Sequence, residues 1–406
     1  MRGCAPPTEL FVLRVWRGLA SAVPVSLLGL LCAALPAATA PQPLDSQIAQ
    51  LDAVREQCVS AAAALQRREQ SIGALDLAIN VMVHGVDTKK QEITQNREQQ
   101  EALLGALARL ARSPAEALAI SPEGPVDRQR SSILLSAAVP ALSAQAHQLS
   151  GQLAALSSVE SQIDARRKDI DDARTALTKG RDQLAQLIGK RDALIGQLLH
   201  DDSGAVPADA LADQASDLFD LIKKADAATD QRDKDMVVRL RVLYGVPAKG
   251  APPADPTRPK NLRGLDAPHT EMVWPVAGEL IHRFGEADRY GRPNQGLTLA
   301  AMPDGAVIAP FDGRVDYVGP FRGYGLILII RHGGGYHSLL AGLGHVDVTM
   351  GQWLLAGEPV GSLADADEKS AGASLYFELR RDGRAVDPQS RLVSRDQKTE
   401  ETRVRE

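Results

Sequence analysis

Aromatic residues make up only 4% of this 406-residue chain. With so few rings, a chain of this length reads as carrying extended helix, which buries Leu, Ile and Ala along a seam rather than around a globular centre. Cysteine is also scarce, with three in all: Cys4, Cys32 and Cys58. If the first 40 residues are cleaved off, only Cys58 is left, which excludes an internal disulfide framework and a Cys-based zinc site. Positive charge is not in excess. Lys and Arg total 46 against 51 Asp and Glu, for a formal net charge of -5, and no basic stripe is present. Nucleic acid is thereby excluded as a partner. Finally, none of His269, His282, His332, His337 and His345 forms a His-x-His or His-x-x-x-Asp pair.

At the N-terminus, Arg14 and Arg17 precede an apolar stretch over about 18–35, and Ala38-Thr39-Ala40 offers a small-x-small cleavage site. This predicts an export signal over 1–40 and a periplasmic protein. An uncleaved anchor is the alternative, since 18–40 could just span a bilayer, although Pro24 and Pro36 interrupt it. Cleavage would leave Cys58 alone.

Over 44–111, Leu44, Leu51, Cys58, Leu65, Ile72, Ile79, Val86 and Ile93 recur at spacing seven, with Val54, Ala61, Leu75 and Met82 three residues after some of them. A second seam runs through Leu142, Leu149, Leu156, Ile163, Ile170, Leu177 and Leu184 toward Leu198. These are sustained coiled-coil seams. Pro114, Pro122 and Pro125 separate them, so an antiparallel hairpin is expected over 41–200, with a first arm of roughly 100 Å. The apolar stretch 133–140 near its far end serves either tip packing or a partner. A further helical region spans 201–245, with Leu211, Leu218, Leu221, Ile222 and Ala225 on its apolar side. Pro247, Pro252, Pro253, Pro256, Pro259 and Pro268 mark a linker over 246–270.

From 271 to 393 the pattern changes to short β-runs punctuated by glycine, and a charged tail follows over 394–406. Strands are expected at 305–310, 313–318, 326–331 and 336–341, with His332-Gly333-Gly334-Gly335 as a hairpin turn. In 374–381, Leu375, Phe377 and Leu379 face one way, and Ser374, Tyr376, Glu378 and Arg380 the other. The fold class is therefore α and β in separate domains, a long antiparallel coiled-coil hairpin followed by a small all-β domain.

The order of motifs in this last domain resembles the LytM, or lysostaphin-type, zinc peptidases of peptidoglycan, whose fold is a duplicated hybrid motif. The shared frame is Trp274-Pro275-Val276, Arg283-Phe284-Gly285, Asn294-x-Gly296-x-Thr298, Gly305-x-Val307-x-Ala309, Asp312-Gly313-Arg314-Val315, Gly323-Tyr324-Gly325, Gly351-Gln352, Ser374-Leu375-Tyr376-Phe377-Glu378 and Asp387-Pro388. The resemblance implies that the catalytic and zinc-binding positions fall on Asn294, Thr298, Gly342, Ser374 and Tyr376, all changed from what hydrolysis needs. No metal, cofactor or catalytic residue is then expected. The stretch from Ser374 to Gly383, together with the order of export signal, coiled coil and degenerate domain, is similar to the EnvC-like murein hydrolase activators. That resemblance implies a non-enzymatic activator of periplasmic N-acetylmuramoyl-L-alanine amidases that promotes septal peptidoglycan splitting. Its coiled coil would dock on an FtsEX-like division complex, and its amidase surface would fall on Gln295, Thr298, Tyr324, Tyr376 and Arg380. Region 209–244 falls where that family carries an autoinhibitory segment. An active zinc endopeptidase and a passive scaffold in contact with peptidoglycan are the alternatives.

Overall fold

The computed structural model describes residues 44–111, 125–199, 207–244, 255–266, 270–288, 290–365 and 373–393. The expected export signal, the proline-containing break between the coiled-coil arms, His269 and the charged tail lie outside them, except that Pro125 opens the second arm.

Two long helices form, α1 (Leu44–Ala111) and α2 (Pro125–Leu199). Their seam is the heptad pattern made physical: Leu65, Ile72, Ile79 and Val86 of α1 bury against Ile163, Ile170, Leu177 and Leu184 of α2. Ion pairs fix the direction. Glu69 meets Arg181, Asp76 meets Arg174 and Lys90 meets Glu160, so position rises along one helix as it falls along the other. The arms are antiparallel. The 133–140 stretch belongs to α2; its side chains up to Val139 are outside the described set.

Two further helices follow, α3 (Ala208–Gln214) and α4 (Leu218–Tyr244). Next come ten strands: β1 (Gly278–His282), β2 (Leu297–Ala301), β3 (Ala306–Ile308), β4 (Gly313–Phe321), β5 (Gly325–Arg331), β6 (Tyr336–Val346), β7 (Trp353–Leu354), β8 (Pro359–Leu363), β9 (Ala373–Arg381) and β10 (Arg384–Val386). The main path through the sheet is β1-β2-β9-β6-β5-β4-β7, with β10 beside β9 and β3 beside β8. Every pairing of these strands is antiparallel. The long N-terminal helices and the C-terminal antiparallel β domain agree with the fold class read from the sequence.

Period-two alternation divides the sheet into two faces. Leu297, Leu299, Leu328, Ile330, Leu340, Leu375, Phe377 and Leu379 form the main core with Phe311 and Val315. On the opposite face, Tyr317, Phe321, Ile327, Ile329, Leu339 and Ala341 are covered by Leu211, Leu218, Leu221, Ile222 and Ala225 of α3 and α4. Part of the segment read as linker is tied to this domain. Leu265 enters the main core, Asp255 accepts from the Trp353 indole at 2.8 Å, and Arg263 pairs with Asp312.

The base of the coiled coil docks on β3 and β8. Arg191 is buried and reaches Glu358 at 3.1 Å and the Asp347 carbonyl at 2.6 Å. Arg55 donates to the Trp353 carbonyl, and buried Glu69 accepts from the Ala306 amide at 3.2 Å. Burying such charges is costly unless each finds partners. Their placement here ties helices and sheet into specific contact. Cys58 is buried and unpaired in the same helix seam as these groups, and burial pushes its thiol up to about 11.

Candidate functional site

The site lies on the α3–α4 face of the sheet, where β2, β9 and β6 run side by side. Thr298 pairs with Tyr376, and Tyr376 with Ala341, so the three stand in one row across the ladder. Two residues further along β9 is Glu378, whose side chain is 1% exposed. It organises its neighbours: Oε2 accepts from the Tyr376 hydroxyl at 2.8 Å, and Oε1 accepts from Arg380 Nε at 2.6 Å. Arg380 in turn donates to Gln295 Oε1 at 3.2 Å and to the Gly383 carbonyl. Tyr324, from the β4–β5 turn, lies with its ring centroid 6.3 Å from that of Tyr376 and 6.3 Å from that of Phe321.

The structure thus brings Gln295, Tyr324, Tyr376 and Arg380 together around Glu378, with Thr298 beside Tyr376. Glu378 did not figure among the sequence-based site residues. Its signal was the same period-two alternation that places Ser374, Tyr376 and Arg380 on this face. Burial, reinforced by the charge of Glu378, holds the Tyr376 phenol far above the usual tyrosine range, and burial raises Tyr324 as well. Both remain neutral hydroxyls.

The other sequence-based positions are arranged differently. Asn294 sits in the loop before β2, its backbone bonded to Gly285 and Glu286. Ser374 is exposed near the start of β9 and pairs with Ala300. Gly342 has a left-handed φ of 93°, and a Cβ there would lie 2.4 Å from the Ser374 carbonyl oxygen. No L side chain fits that position without a backbone shift.

Of the domain's described histidines, exposed His282 of β1 pairs with Thr298 at the end of this row, whereas His332 and His345 stand away from it. His332 is buried between the Asp312 carbonyl and the Ser338 hydroxyl. His345 is exposed and pairs with Asp347.

Helix α4 borders the site. Leu218, Leu221 and Ile222 pack on the sheet, and the same apolar cluster extends to Tyr376. The Phe219 ring lies against Gly383 in the β9–β10 turn, so close that a Cβ there would overlap it. The rest of the helix is held by polar contacts: Asp226 with His337, Asp230 with Arg331, Asp233 with Arg314, and Arg232 with the Met350 carbonyl. Sequence reasoning missed this row of pairs, because only the folded register aligns the acidic side of α4 with β4, β5 and β6.

Residues 292–388 match the model of Peptidase family M23. Murein hydrolase activator EnvC of Escherichia coli (strain K12) is 37% identical over 126 residues, 31% of this chain and 30% of that protein. Murein hydrolase activator NlpD of Salmonella dublin is 32% identical over 147 residues, 36% of this chain and 38% of that protein. A putative peptidase M23 from Pseudomonas aeruginosa, solved as a crystal structure, superposes with a TM-score of 0.26 at 24% identity, covering 32% of this chain and 52% of that one. The two activators are homologues of this chain, and the match spans about a third of their length.

Proposed function

We propose that the chain is a non-enzymatic activator of periplasmic N-acetylmuramoyl-L-alanine amidases that promotes splitting of septal peptidoglycan during cell division. The murein hydrolase activators EnvC and NlpD, similar to this chain over 126 and 147 residues, support this reading.

The observation that carries the proposal is the donor set of the site. A hydrolytic zinc ion needs three imidazole or carboxylate donors and an open position for water. The five positions that match the family's machinery offer the amide of Asn294, the hydroxyls of Thr298 and Ser374, the phenol of Tyr376 and the bare backbone of Gly342. Tyr376 donates a hydrogen bond to Glu378 and stays protonated, so no phenolate ligand forms. Gly342 has no space for any side chain. These residues do not fit zinc, and no hydrolytic step is assigned to them.

In place of a metal, the face offers two tyrosines and an arginine steadied by a buried carboxylate. Aromatic and Arg side chains held in place are what a protein-binding hot spot requires. Gln295, Thr298, Tyr324, Tyr376 and Arg380 form the amidase surface, and α3–α4 restrains access to it. The export signal over 1–40 delivers the chain to the periplasm, where the coiled coil engages an FtsEX-like division complex.

The test is digestion of purified peptidoglycan by a purified amidase with and without the full chain. The chain should stimulate release of soluble fragments by the amidase and release none alone. Metal-dependent cleavage of peptide cross-links by the chain alone would favour the endopeptidase reading. Binding to peptidoglycan without stimulation of any amidase would favour the scaffold.

A further inference from the structure

Between α4 and the sheet, further along β6 from the Tyr376 row and with His337 opposite Arg380 in the ladder, lies a polar cluster to which the activator reading gives no chemical role. Asp316 of β4 is completely buried, with Asp226 and buried Thr229 of α4 beside its carboxyl, yet neither of its oxygens receives a hydrogen bond of good geometry. Arg331 Nε lies 3.3 Å from it and His337 Nε2 3.7 Å from it. His337 of β6 is also nine-tenths buried, and its Nδ1 is without a hydrogen-bond partner. Its Nε2 is 2.9 Å from Asp226 of α4. One donor atom from each of Asp226, Asp316 and His337 falls within 4.8 Å of the other two.

Carboxyl groups crowd this point. Asp226 and Asp230 face it from α4, Asp316 from β4, Arg331 from β5 and His337 from β6. Asp233 and Arg314 satisfy each other further along the helix. Asp230 can hold Arg331 by itself at 2.9 Å, which leaves Asp226 and Asp316 gathered around the His337 imidazole. A buried carboxyl in such a place must be neutralised, by a proton or by a bound cation. The geometry suits a cation. A metal bound at about 2.1 Å separates tetrahedral donor atoms by about 3.4 Å, between the 2.9 and 3.7 Å that His337 makes with the two carboxylates. One imidazole and two carboxylates are a donor set for zinc and similar divalent transition metals, not for calcium or magnesium.

We propose that Asp226, Asp316 and His337 form a binding site for a divalent transition-metal cation that clamps α4 to the sheet. The clamp's consequence for activation rests on the reading of α3–α4 as the restraint on the amidase surface; binding itself does not. The site differs from the degenerate peptidase positions in both residues and place. It also needs α4, because one of its three ligands comes from that helix.

Zinc is the probe. The full chain, stripped with chelator and dialysed, should bind one zinc ion in calorimetric titration, and zinc should slow amide exchange in 218–244. Asp226→Asn, on the part-exposed helix side, should weaken binding at least tenfold and abolish the change in exchange; His337→Gln should do the same. Absence of stoichiometric binding would overturn the proposal, as would binding that both variants retain. Zinc that binds through these residues but leaves exchange in α4 unaltered would overturn the clamp. All these measurements use the chain alone, so failure to stimulate an amidase would count against the functional reading and leave this one standing.

Discussion

At the β5–β6 turn, His332 is enclosed with Nδ1 2.8 Å from the Asp312 carbonyl oxygen and Nε2 2.8 Å from Ser338 Oγ. A carbonyl can only accept, so Nδ1 carries the proton and Nε2 accepts from the hydroxyl. Burial lowers this imidazole to about 4 from an ordinary value of 6.5. The folded state therefore takes up the proton less readily than the unfolded chain. The stability that results is complete above pH 6.5 and is lost as the pH falls toward 4, at about 1.4 kcal/mol per unit. Urea unfolding at pH 7.5 and 4.5 should show the wild type losing about 2 kcal/mol more than His332→Gln over that interval; equal losses would mean the imidazole is not held neutral. The Tyr376 row makes a different prediction. Tyr376→Ala or Arg380→Ala should weaken activation, because loss of an anchor costs about 2 kcal/mol, roughly thirtyfold in affinity. Two variants that fold normally and activate at wild-type concentrations would remove the groove from the proposal. Both residues were legible as sharing a face from alternation along 374–381. That Glu378 holds them was not, because a carboxylate on a strand reads as solvated until its neighbours across the ladder are known.

Among the elements, α4 shows how an amphipathic pattern acquires a specific role. Leu218, Leu221, Ile222 and Ala225 fall on one stripe of the helix, and all are buried on the sheet. The stripe predicts that the helix packs on something; the strands it meets are a matter of tertiary register. Asp residues on its polar side would ordinarily be solvated, and here three of them pair with His337, Arg331 and Arg314. Replacing Leu218 and Ile222 by Asp puts charge into an apolar contact and should displace α4. If α4 restrains the amidase surface, this double variant should activate at lower concentration than the wild type, with the unchanged chain as the reference in the same assay. Equal activation, with 218–244 shown to be released by limited proteolysis, would make α4 a connector only.

At the scale of the whole molecule, coiled coil and sheet meet through buried charge. Arg191 and Glu358 have fully buried side chains, and Arg191 also satisfies the carbonyls of Asp347 and Pro359. Removing one partner of such a pair leaves the other charged and unmatched, at a cost of about 3–5 kcal/mol. Arg191→Ala should lower the unfolding midpoint of the full chain in urea and raise amide exchange in β8 more than in β9. Uniform exchange across both strands would show that the helices do not brace the sheet at this point. Such bracing would carry a movement of the coiled coil to the domain.

The amino-acid sequence alone determined the elements that depend on local spacing: two heptad seams, the turn glycines and the alternation of β9. Those features follow from periods of seven and two and from side-chain chemistry, both of which are local. Burial and partner choice are not local. Only the tertiary structure decided that Glu378 centres the site, that α4 lies across the sheet up to Tyr376, that Gly342 excludes a side chain, and that Asp226, Asp316 and His337 converge. Each of these depends on which strands and helices come side by side, and that is set by the packing of the whole sheet between its core and its helices.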